Sequence, residues 1–143
     1  MSIHIPKAYG GVALLSTIIT GGCLVTADME RLQRQSSFSN DFMDFNFTEL
    51  HQKEIGDDPA ELGYPDDGNG RYMQAKPYAD WYFFAVSKRV YRNDLEHLVT
   101  LIPTSLVNGF FMPYPTIGLL ATYWLGRNLY TQGYFQKEGV LNK

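Results

Sequence analysis

Residues 88–136 read KRVYRNDLEHLVTLIPTSLVNGFFMPYPTIGLLATYWLGRNLYTQGYFQ, and the placement of this stretch decides the fold. It opens on a dense charged run and then holds no Asp, Glu, Lys or Arg from His97 to Gly126. A bilayer core takes about 20 apolar residues of helix, so this uncharged block is too long for one crossing. Met112-Pro113-Tyr114-Pro115 divides it, because proline lacks a backbone donor and disfavours helix in the residue before it. Two helices are expected, one from Asp80 to Phe111 and one from Pro115 to Gln136. Pro103 falls inside the first and is expected to kink it, which membrane helices tolerate.

Upstream, a second uncharged block runs from Ala8 to Ala27 and fits one crossing. It predicts a helix from Lys7 to Arg34. Lys7 and the small residues Val25-Thr26-Ala27 also suit a signal peptide, but the block is long for such an apolar region, and a retained membrane helix is expected. Gly10, Gly11, Gly21 and Gly22 offer surfaces for close helix approach. Cys23, the single cysteine, excludes an intrachain disulfide and reads as a small packing residue. The slightly negative mean hydropathy therefore misleads, because the charges are unevenly placed.

Between the blocks lies a polar insert, residues 35–79. Its DDPAELGYPDDGNG stretch is dense in turn formers and reads as loop. Asp66, Asp67 and Asn69 lack the spacing and the bidentate glutamate of a calcium loop, so a solvated acidic turn is expected and no metal site. Phe38, Phe42, Phe45 and Phe47 place the insert against a membrane or protein surface. The expectation is one all-α integral membrane domain over residues 1–143 with three transmembrane helices, since Lys143 leaves no length for a fourth. Arg31, Arg34, Lys88, Arg89, Arg92, Lys137 and Lys143 then share one side with the insert, which the positive-inside tendency makes cytosol-like or matrix-like. The partner is the lipid bilayer; no nucleic acid is expected.

The charged run carries the candidate chemistry. Arg89, Asn93 and Glu96 are spaced four and three apart and share a helix face, as do Arg127, Tyr130 and Tyr134. Arg89 and Arg127 each lie about nine residues from a helix end on the same side, roughly 14 Å deep. A charge in mid-span costs about 2.5 to 3.5 kcal/mol on insertion scales and marks a site or a paired network. One reading is a pocket for an anionic, peptide-like ligand: arginines for carboxylates, Asn93 for amides, Glu96 for an ammonium group and tyrosines as phenolic donors. The other is an internal network in which Glu96 neutralises Arg89 or Arg92.

Arg89-Val90-Tyr91-Arg92-Asn93-Asp94-Leu95-Glu96, followed by Gly126-Arg127-Asn128-Leu129-Tyr130-Thr131-Gln132-Gly133-Tyr134, resembles the paired motifs of the MAPEG family, which includes the microsomal glutathione transferases. Tyr64-Pro65 and Asn69-Gly70 are similar to the lead-in of its second helix. The resemblance covers residues 80–136 well and the first helix weakly. It implies a MAPEG-like helical bundle, a homotrimer, and glutathione bound between protomers by Arg89, Asn93, Glu96, Arg127, Tyr130 and Tyr134, with Arg31 a further member. Transferase or peroxidase chemistry on lipophilic substrates would follow, with Tyr130 or Tyr134 donating a hydrogen bond to sulfur, in a mitochondrial or endoplasmic reticulum membrane.

Three departures stand against full correspondence. The family has four spans, the insert here is longer, and Leu141 occupies a position where some members carry a thiolate-stabilising arginine; Lys137 is nearby. A thiol with pKa near 8.5 is only a few per cent ionised at neutral pH without such help. The missing fourth span and the aromatic insert motivate the alternative of a catalytically silent accessory subunit in a larger, respiratory-type complex of the mitochondrial inner membrane.

Overall fold

A computed structural model describes residues 4–137, and every regular element among them is helical. The long helices are α1 (Tyr9–Ser37), α5 (Tyr78–Phe111) and α6 (Pro113–Lys137). Short helices α2 (Asn40–Met43), α3 (Glu49–Glu54) and α4 (Arg71–Gln74), a π turn over Asp44–Thr48 and a 3-10 turn over Glu61–Gly63 lie between α1 and α5. The chain divides into two compact units, one of residues 1–27 and 90–143, the other of residues 28–89.

The first unit is built on long-helix faces. Val12, Ile19 and Leu120 form its buried core, with Leu15, Leu98, Leu101, Ile102, Ile117 and Tyr123 packed around them. Tyr9 stacks on Phe110 with ring centroids 4.4 Å apart. Gly109 admits this approach, since a Cβ there would meet Val12 at 3.0 Å. The expected break at Met112 is present, but α6 starts at Pro113 rather than Pro115. The first turn of a helix has no acceptors for its N–H groups, so both prolines fit there without losing a hydrogen bond. α5 runs as one helix through Pro103.

Among the described helices, α1 is the one long and apolar enough to cross a membrane. α5 combines its apolar half with the charged run, and α6 begins with Pro-Tyr-Pro and carries Arg127 in its second half, so neither sustains an apolar window of that length.

In the second unit the polar insert, expected over residues 35–79 as a loop between helices, is loop only in part. α1 continues to Ser37, and Asn40–Glu54 is helical apart from its π turn. The reason is a local aromatic core: Phe38, Met43, Met73 and Phe84 are buried, with Phe42, Phe47, Tyr72 and Trp81 packed against them. Aromatic burial, not an even hydrophobic period, stabilises these short helices. Residues 55–60 and 64–70 remain irregular, as their turn formers require.

Arg34 sits at the centre of this unit with 2% exposure. Its guanidinium reaches Glu30 at 3.3 Å, donates to the carbonyls of Asp66 at 2.8 Å and Leu62 at 3.3 Å, and meets Asp67 at 3.4 Å. It also lies 4.3 Å from the Tyr64 ring centroid and 5.0 Å from that of Phe84, within cation–π range. Asp66, expected to be solvated, is 5% exposed. Its carboxylate accepts the backbone N–H groups of Gly68, Gly70 and Met73, each at 2.8 Å. Lys88 fixes the other side of the turn through Asp67, with Nζ 2.8 Å from Oδ2.

Candidate functional site

The polar centre of the first unit is assembled from three helices. α5 supplies Asn93 and Asp94, α6 supplies Arg127, and α1 supplies Thr26. The Arg127 Nη1 donates to Asn93 Oδ1 at 2.6 Å, and its Nη2 pairs with Asp94 Oδ1. The second carboxylate oxygen of Asp94 accepts from the Thr26 hydroxyl at 2.8 Å. That hydroxyl also lies 2.9 Å from the Cys23 carbonyl, so one proton is shared between two acceptors.

The side chains of Arg127 and Asp94 are 16% and 11% exposed. In such surroundings a lone charge is costly, and each is compensated by the other. Arg127 Nε is buried without a hydrogen-bond partner among the described residues. Below the guanidinium lies the Tyr130 ring, its centroid 4.7 Å from Arg127 Cζ, and Tyr130 stacks on Tyr134 at 5.5 Å. The guanidinium and the two phenol rings therefore form a column along α6, which the Asn93 amide of α5 joins at Arg127.

Of the expected site residues, Asn93, Arg127, Tyr130 and Tyr134 come together in this way. Glu96 does not. Its side chain is 68% exposed and lies 3.8 Å from the Nε of Arg92, itself 71% exposed. Glu96 is thus on the surface of the chain, not buried, and its cation is Arg92, the residue one helical turn away. Arg31 and Arg89 belong to the second unit and are exposed. Lys137 is the last residue of α6, while Leu141 lies outside the described residues.

Asp94 and Thr26 were not among the expected site residues. Asp94 stands inside the quoted motif, but it adjoins Asn93, and neighbouring helix positions point about 100° apart. Grouping residues by the face of Arg89, Asn93 and Glu96 excluded it. The available signal was a carboxylate between Asn93 and Leu95, just before an uncharged block whose first charged residue on the far side is Arg127. Thr26 carried none, since a hydroxyl in an apolar helix ordinarily bonds its own backbone.

The chain matches no protein-family model, no curated protein and no solved structure.

Proposed function

We propose that this chain is a membrane protein of MAPEG type, crossing the bilayer with α1, α5 and α6 and binding glutathione on the polar face of α5 and α6. What carries the reading is the meeting of two separate motifs, with Arg127 of one donating to Asn93 of the other at 2.6 Å. Around that contact the donor set suits a small peptide with two carboxylates and one ammonium group. Glu96 and Arg92 are exposed and able to meet an ammonium and a carboxylate, Asn93 retains amide N–H groups, and the 39% exposed Tyr130 offers a phenol. Arg127 then acts by positioning Asn93 and Tyr130, its own charge being matched by Asp94. The thiolate of bound glutathione would attack a lipophilic electrophile, forming a carbon–sulfur bond as the leaving group departs, with Tyr130 or Tyr134 donating a hydrogen bond to sulfur before attack. Calorimetric titration of reduced glutathione into the full chain in nanodiscs tests this reading. Saturable binding is expected, and none at millimolar ligand would overturn it.

The neutralisation of Arg127 favours a second reading. An arginine already committed to Asp94 is a brace between helices, as an accessory subunit of a larger membrane assembly would require. Such a subunit would co-migrate with a large complex on native gels and show no heat of glutathione binding, whereas a small homo-oligomer alone would count against it.

A further inference from the structure

The π turn of the second unit has a consequence for its surface. A π turn closes residue i to i+5, so residues five apart come to lie on one side. Phe42 and Phe47 are five apart, and both pack on the aromatic core. Their centroids are 5.8 Å apart, and Phe47 reaches Tyr72 at 4.7 Å. The same turn leaves Phe45 outward and 89% exposed, the highest value for a large apolar side chain among the described residues. Leu50 and Ile55 follow along the run at 49% and 67% exposure. With Phe47 and Tyr72 they line an open cleft of about 410 Å³.

Carboxylates are interleaved with these apolar residues along the run, Asp44 next to Phe45 and Glu49 next to Leu50 in sequence, and Glu54 lines the cleft. Asp41, Asp44 and Glu49 are all exposed. Residues 40–61 hold seven carboxylates against one lysine, Lys53, and Arg71 is the cation at the cleft. We propose that this face docks a basic amphipathic segment of a partner protein, whose apolar residues cover Phe45 and enter the cleft while its lysines or arginines meet the carboxylates. Charge complementarity selects this occupant. An anionic lipid surface would be repelled by the carboxylates beside Phe45, and a second copy would bring the same acidic face. The proposal is independent of glutathione binding.

The test uses the full chain in nanodiscs of neutral lipid and two fluorescent amphipathic peptides. Both carry one leucine face, with lysine on the polar face of one and glutamate on that of the other. The lysine peptide is expected to bind and the glutamate peptide to fail. Phe45→Ser should weaken binding by about tenfold or more, as loss of a central aromatic anchor does. The triple change Asp41→Asn, Asp44→Asn and Glu49→Gln should do the same. These side chains are exposed, so melting temperatures should match wild type, which separates lost docking from lost fold. Equal binding of the two peptides, or lysine-peptide binding indifferent to both variants, overturns the proposal. So does sedimentation showing that Phe45→Ser dissociates a homo-oligomer.

Discussion

Arg127 of α6 is paired with Asp94 of α5 and not with Glu96, and the same carboxylate receives the Thr26 hydroxyl of α1. One acidic group therefore holds three helices of the first unit. Because both charges are largely buried, the pair is sensitive to loss of one partner and tolerant of loss of both.

Asp94→Leu or Arg127→Leu alone is expected to destabilise the protein by about 3 to 5 kcal/mol, since the surviving charge is left without a partner. The double variant should recover much of that loss. Unfolding of the purified protein in detergent, followed by circular dichroism, measures all four members of the cycle. A double variant as unstable as the sum of the singles would show that the pair is not an isolated unit.

Glu96→Gln is expected to leave stability nearly unchanged, because the exposed Arg92–Glu96 pair is worth about 1 kcal/mol at most. If the chain binds glutathione, the same variant should lose the rise in melting temperature that millimolar glutathione produces in wild type. Melts of both proteins with and without the tripeptide read the two effects separately. A ligand-induced rise that survives in Glu96→Gln would remove Glu96 from the site.

Arg34→Met should open the second unit. It removes donors to two loop carbonyls and the cation beside the Tyr64 and Phe84 rings. The expected cost is about 3 kcal/mol or more, and Arg34→Lys should not restore it, because a single ammonium cannot reproduce the planar fork. Limited proteolysis within residues 55–70 should be faster in both variants. Wild-type protection in Arg34→Lys would show that charge alone suffices.

Gly63→Ala tests the packing beneath that loop. Gly63 has φ +68°, and a Cβ there would lie 2.3 Å from the buried Phe38 ring. Overpacking of this kind costs about 1 to 3 kcal/mol, and the left-handed backbone adds to it. Gly56→Ala, also at positive φ but with open space around it, is the control for backbone strain alone. The difference between the two melting temperatures reports the steric contribution.

Much of the helical layout was legible before any packing was known. Uncharged blocks marked the long helices, and Met112-Pro113-Tyr114-Pro115 marked the break between α5 and α6, because charge depletion and proline act locally. The motif spacings also brought Asn93 and Arg127 into one reading, and they touch. Residues 40–54 were harder, because Phe42 and Phe47 share a side only once a π turn has changed the period of the helix.

Composition, proline position and residue spacing were thus sufficient for the three long helices and the break between α5 and α6, since each acts within a turn or two of backbone. They could not say which acid faces inward. Asp94 and Glu96 have the same charge and stand two residues apart, yet one is 8% exposed as a residue and the other has a largely exposed side chain. Nor could they place Arg34, written at the end of an apolar helix, at the centre of an aromatic core. Burial depends on what arrives from elsewhere in the chain, here Arg127 from 33 residues beyond Asp94 and the Asp66 carbonyl from 32 beyond Arg34. Those neighbours exist only once the helices have packed.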